Sequence, residues 1–174
     1  MGDGKCRCKK EFRLEQTVHE NHKYCCKEGE CFDPCKFLRN MTSNTQNSCN
    51  LQPCMSIEWG DGSNDHLETD DVEVLCLKFK NCFKEISFEN VKINNISITP
   101  NDILPDHTPS IMIKPDCEIC FGNIAPCKEE SREVVLITRG AKAQTYIIHV
   151  YFSYKVCGTE CKKAADFKLP LVAS

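Results

Sequence analysis

Long apolar runs are missing from this chain of 174 residues. None approaches the ~20 consecutive apolar residues that a bilayer-spanning helix needs, so no membrane segment is expected in it. The opening Met1-Gly2-Asp3-Gly4-Lys5 runs straight into polar, cysteine-rich sequence without the apolar stretch of a secretory leader. Basic stretches interleaved with aromatics, the footprint of a nucleic-acid binder, are also missing. So are a glycine-rich phosphate loop and the HExxH metalloprotease signature. With no cofactor motif present, no cofactor is expected and a cytosolic metabolic enzyme does not fit. Tryptophan is nearly absent: Trp59 is the only one, and in an early strand it is expected in the core.

Cysteine, by contrast, is abundant. Fifteen of 174 residues are cysteine, the density of a disulfide scaffold. Without them roughly a third of the chain is apolar, enough to pack one sandwich of ~100 residues, with crosslinks supporting the rest. Disulfides persist in oxidising compartments. The sequons Asn40-Met41-Thr42 and Asn95-Ile96-Ser97 mark Asn40 and Asn95 as glycosylation candidates in such a setting. Zinc is the competing explanation for many cysteines. It calls for paired C-x2-C sets, and only Cys117 and Cys120 form one. A secreted or extracellular protein is therefore expected. The disulfide candidates are Cys6, Cys8, Cys25, Cys26, Cys31, Cys35, Cys49 and Cys54 in the first 55 residues, then Cys76, Cys82, Cys117, Cys120, Cys127, Cys157 and Cys161. An odd total leaves at least one thiol free or bonded to another molecule, which opens a disulfide-linked dimer. If bridges stay within each part, the unpaired cysteine lies in the second. No connectivity follows from spacing alone.

Texture divides the chain near residue 55. Residues 1–55 lack a strand or helix period except for a possible short helix over Glu11 to His22, and read as a small disulfide-rich loop module. From residue 56 the pattern alternates. Met55–Trp59, Val72–Phe79, Glu85–Glu89, Val91–Ile93, Ile96–Ile98, Ile111–Ile113, Val134–Thr138 and Tyr146–Phe152 are short period-two runs separated by Gly, Pro, Asn and Asp. That is the signature of an all-β antiparallel sandwich of fibronectin-III-like or immunoglobulin-like type. Residues 128–174 are open to a second reading, as the remnant of a second sandwich.

Charge is uneven. Net charge is +2 over residues 1–55, −8 over 56–127 and +3 over 128–174. The acidic excess gathers in Asp61, Asp65, Glu68, Asp70, Asp71 and Glu73, a field that attracts basic partners and repels phosphates. It reads either as a solvated hairpin loop or as a docking surface. His19, His22, Cys25 and Cys26 have ligand chemistry suited to zinc, yet adjacent cysteines make awkward tetrahedral ligands. Asp61-Gly62-Ser63-Asn64-Asp65-His66 begins like a calcium loop, but His66 stands where a glycine is needed and Val72 where a glutamate is needed. No metal site is expected. A thiol nucleophile with His107 or His149 is formally available; His149 sits in an alternating strand and is expected to face outward.

Several fragments resemble the extracellular region of the interleukin-17 receptor family. Cys31-Phe32-Asp33 with Arg39-Asn40-Met41-Thr42 is similar to the entry of that family's first domain. Ile57-Glu58-Trp59 and Leu75-Cys76-Leu77-Lys78-Phe79 resemble two of its core strands. Pro115-Asp116-Cys117-Glu118 with Pro126-Cys127 is similar to the end of that domain. Val150-Tyr151-Phe152 leading to Cys157-Gly158-Thr159-Glu160-Cys161 is similar to the last strand and close of the second. The resemblance implies a cytokine-binding ectodomain built on fibronectin-III-like sandwiches, without catalysis, with the acidic 61–73 segment as a contact for a basic ligand. The alternatives are a secreted effector or inhibitor that sequesters a host protein, a cysteine-dependent enzyme, and a matrix component.

Overall fold

Alternation governs which strands form, and a computed structural model describes them over residues 12–16, 49–59 and 66–174. They are β1 (Phe12–Arg13), β2 (Cys54–Trp59), β3 (Leu67–Glu68), β4 (Val72–Lys80), β5 (Phe88–Thr99), β6 (Met112–Lys114), β7 (Ile119–Ile124), β8 (Glu129–Ile137), β9 (Thr145–Val156) and β10 (Thr159–Val172). Two five-stranded sheets result, ordered β1-β2-β4-β8-β6 and β3-β10-β9-β5-β7. All pairings are antiparallel except the short β3–β10 pair. The all-β sandwich expected from the sequence is the observed fold.

In β9, Tyr146, Ile148, Val150, Phe152 and Tyr154 are buried while Tyr151 and Lys155 are exposed. In β10, Ala165, Phe167, Leu169 and Leu171 do the same against exposed or half-buried neighbours. Period two thus puts one face of each strand into a shared core. Aromatic rings join the sheets there. Phe79 of β4 meets Phe121 of β7 edge-on at 4.8 Å and Phe152 of β9 at 5.0 Å, a geometry that adds to simple burial. The β9–β10 hairpin turns on Cys157 and Gly158 with φ of 49° and 81°. Two consecutive left-handed residues match the twist of the strands they connect.

Several expectations shift. Over residues 12–16 the short helix is replaced by strand β1, paired with β2, and by a bridge from Gln16 to Phe167 of β10. Leu14 donates to the Ile57 carbonyl at 2.9 Å, Lys168 donates to the Glu15 carbonyl at 2.9 Å, and the Leu14 side chain is buried. Sheet edges supply these backbone partners and a core site accepts the leucine, so tertiary pairing outweighs weak local helix preference. Residues 12–16 and 49–55, placed by sequence in the N-terminal module, join the sandwich here. Residues 128–174 contribute β8, β9 and β10 to the same two sheets. Phe88 and Glu89 from the run 85–89 fuse with the runs 91–93 and 96–98 into the single strand β5, with irregularities in register at its first half and near Asn94. Trp59 is half-buried and packs against the core.

Candidate protein-binding surface

Of the acidic residues named from sequence, Glu68, Asp70, Asp71 and Glu73 fall at one corner. Asp61 and Asp65 lie outside the described residues. Glu68 ends β3, Asp70 and Asp71 form the turn, and Glu73 is half-buried in β4. The turn is tied to the end of β8 by Thr138, itself buried. Its hydroxyl donates to the Glu68 carbonyl at 2.9 Å and accepts from the Asp71 amide at 2.9 Å. The Asp70 amide donates to the Thr138 carbonyl, and the Thr138 amide to the Asp71 carbonyl. Asp70 adopts φ 58°, and its Oδ1 accepts from the Gly140 amide at 2.6 Å. That carboxylate therefore builds the corner. Glu68 pairs with His66 at 3.0 Å, and Asp71 Oδ1 accepts from the next amide at 2.8 Å. Val72 stands in the middle of this charge with 62% of its surface exposed, and Val172, paired in register with Glu68, is 40% exposed. An exposed apolar side chain in an acidic turn can bury surface against a partner while nearby carboxylates attract its cations.

Glu58 is spent differently. Burial opposes the Lys78 ammonium, but Glu58 at 3.1 Å and Glu129 at 3.7 Å outweigh it and hold its pKa above the usual lysine range.

His149 faces outward, as its strand position implied. Its Nδ1 lies 2.8 Å from Asp166 Oδ1 on β10 and its Nε2 lies 2.8 Å from Thr99 Oγ1 on β5. The order carboxylate–imidazole–hydroxyl is that of a nucleophile relay. Here it runs straight across three neighbouring strands on the open outer face of the sheet, and we read it as a cross-strand clamp. Sequence reasoning missed Asp166 and Thr99 because only strand register brings 99, 149 and 166 together. The histidine that a thiol enzyme would use is thus engaged by a hydroxyl and a carboxylate. The other candidate, His107, caps a turn through its amide to the Leu104 carbonyl at 2.9 Å.

One cysteine pairing is described in full: Cys49 bonds Cys161, 112 residues away. It links the first 55 residues to the second part, so bridges do not stay within each part. Cys54 and Cys157 are disulfide-bonded as well, while Cys117, Cys120 and Cys127 are exposed free thiols. Cys76 and Cys82 are buried, with Cys82 Sγ 3.4 Å from Cys54 Sγ. Cys6, Cys8, Cys25, Cys26, Cys31, Cys35, Asn40, His19 and His22 lie outside the described residues. Asn95 is exposed on β5 opposite Tyr151, open to modification. Among the described residues no group of three or more His, Cys, Asp or Glu is placed to hold a metal ion, and no helix is long and apolar enough to cross a membrane.

No protein-family model and no curated protein sequence matches the chain. Among solved structures it is similar to the GAE domain of GGA2p from Saccharomyces cerevisiae, at 18% identity and TM-score 0.40, over 68% of this chain and 91% of that one. It is also similar to a cohesin module from a Clostridium perfringens family 33 glycoside hydrolase, at 12% identity and TM-score 0.38, over 71% and 99%. A third is the ASH/PapD-like domain 7 of human CEP192, at 7% identity and TM-score 0.33, over 86% and 98%.

Proposed function

We propose that this chain is an extracellular protein-recognition module, receptor-like in kind, that captures a basic secreted protein such as a cytokine and performs no catalysis. The observation that carries the reading is Val72, the most exposed large apolar side chain described, set among Glu68, Asp70 and Asp71. Burying it against a partner gives affinity, and the surrounding carboxylates give attraction and register. Oxidised Cys49, Cys54, Cys157 and Cys161 support an oxidising compartment. A glycan on exposed Asn95 fits the same setting. The exposed thiols Cys117, Cys120 and Cys127 offer a route to a disulfide-linked dimer. The likeness of its motifs to the interleukin-17 receptor ectodomain belongs to this proposal.

The test is a binding screen of purified secreted cytokines against the immobilised chain, repeated across a salt titration. A partner is expected whose affinity falls as salt rises. Val72→Ser and the pair Glu68→Gln with Asp71→Asn should each weaken it about tenfold or more, with the charge pair also flattening the salt slope. Asp70 is left intact in this test because its carboxylate holds the turn. Binding that ignores both salt and these substitutions sinks the proposal.

A further inference from the structure

β5 is twelve residues long, but its neighbour β7 is six. Their pairing ends at Ile93 with Ile119, whereas the opposite edge of β5 stays paired with β9 as far as Thr99. Among the described residues no strand pairs with the outer edge of 94–99. Alternate residues of an antiparallel strand aim both amide and carbonyl to the same side, so this edge offers a row of backbone donors and acceptors. In front of it, in the other sheet, stands the outer edge of β6, only three residues long. Between them runs a groove of about 570 Å³, within the size range of ligand sites.

Its chemistry is specific. Ile96, Ile98 and Met112 line it half-buried, with buried Ile111 and Ile113 beneath. The charged lining residues are Lys114 and Asp116, joined at 2.7 Å. That hydrogen bond holds the Asp116 carboxyl below the usual range, and the two charges offset one another. The groove therefore has an apolar floor, a polar rim that includes Asn94, Ser97, Thr99 and Asn101, and no net charge. β7 continues along the same sheet edge at one end, and residues 115–118 cross between the sheets there. With β6 facing the edge and residues 115–118 crossing at one end, the groove favours a single extended chain over the edge of a second folded copy.

We infer that the edge of β5 at Asn94–Thr99 is a β-strand addition site for an uncharged, extended segment of a partner protein with apolar side chains at alternate positions. Cross-strand neighbours share a face. Residues of the incoming segment opposite Ile96 and Ile98 point into the groove, and those opposite Asn95, Ser97 and Thr99 join the polar outer face beside His149. Main-chain hydrogen bonds supply affinity and the alternating pockets supply selectivity. A natural sheet normally shields such an edge; among the described residues no strand covers it over 94–99. The inference deepens the recognition function proposed above and depends on it.

The probe is a synthetic peptide with a (Thr-Val)₃ centre and a lysine at each end. Its controls are the same composition with the valines contiguous and the alternating peptide N-methylated at every second amide. Hydrogen exchange on the intact chain at saturating peptide should slow by about tenfold or more those alternate amides of 94–99 that face away from β9, with far less effect from either control. Ile96→Lys should abolish the protection, and the N-methylated peptide makes the same point with the protein unaltered. Protection confined to 112–114, equal protection by the contiguous peptide, or association of the chain only with itself would each overturn the inference. Failure of the peptide while the acidic corner still binds a basic cytokine overturns this site alone; failure of both removes the recognition reading as well.

Discussion

Tyr154 is the side chain on which one edge of the core depends. It is buried in β9, its hydroxyl donates to the Leu51 carbonyl at 2.7 Å, and its ring meets Phe88 edge-on at 5.4 Å. Burial penalises the phenolate and pushes the pKa well above that of a free tyrosine. Because the folded state holds this proton more tightly than the unfolded chain, stability is undiminished below about pH 10, the ordinary tyrosine pKa. It falls as pH rises beyond that point, where only the unfolded state ionises. Tyr154→Phe should cost about 1–2 kcal/mol at neutral pH by leaving the Leu51 carbonyl unpaired, and should remove this part of the alkaline loss. Denaturant titrations of both proteins at neutral and alkaline pH check it; identical alkaline slopes would show that another group is responsible. Asn81 plays a comparable part. Wholly buried, it donates to the carbonyls of Ile86 and Ile124 and accepts from the Phe83 amide, closing the link from β4 to β5. Neither role was legible in the sequence, since Asn81 reads as a turn residue and Tyr154 as one more aromatic.

At the scale of elements, the β3–β4 corner combines two jobs that sequence reasoning had merged into one. Asp70 and Thr138 hold the turn, whereas Glu68, Asp71 and Val72 face outward with fewer structural duties. Asp70→Ala removes the acceptor for the Gly140 amide and is expected to cost about 1–2 kcal/mol. Glu68→Gln should stay within about 0.5 kcal/mol. Thermal melts of the two variants separate scaffold from surface, and equal losses would refute the division. Strand recognition followed the same physics. Val72–Phe79 and Tyr146–Phe152 were readable because β-branched and aromatic residues alternate there with polar ones. β10 escaped notice although Ala165, Phe167, Leu169 and Leu171 alternate cleanly, since its lysine-rich start and Pro170 dilute the signal. β1 and β3, two residues each, exist only because a neighbouring edge pairs with them.

For the whole molecule, Cys49–Cys161 is the long-range tie. It joins the segment entering β2 to the start of β10, and Tyr154 holds that same segment through Leu51. A loop of this length restricts the unfolded chain strongly. Replacing both cysteines by serine should lower stability by about 3 kcal/mol, visible as a lower denaturation midpoint under non-reducing conditions. An unchanged midpoint would mean that other crosslinks carry the restriction. Arg132 closes one side of the sandwich, its guanidinium over the Phe121 ring and its Nε donating to the Cys120 carbonyl at 2.9 Å. Beyond Ile119, where β7 starts, no described strand covers that side.

Composition and periodicity alone determined the class of this protein: fifteen cysteines, short alternating runs and an acidic stretch make a crosslinked all-β chain with a charged corner. Those properties are local, so they survive without knowledge of the fold. Tertiary structure decided what depends on residues distant in sequence meeting in space. It paired Cys49 with Cys161, drew residues 12–16 into the sheets, aligned Thr99, His149 and Asp166 across three strands, and, among the described residues, left the outer edge at the end of β5 without a pairing strand. Each of these follows from strand order and register, which alternation within one strand does not encode.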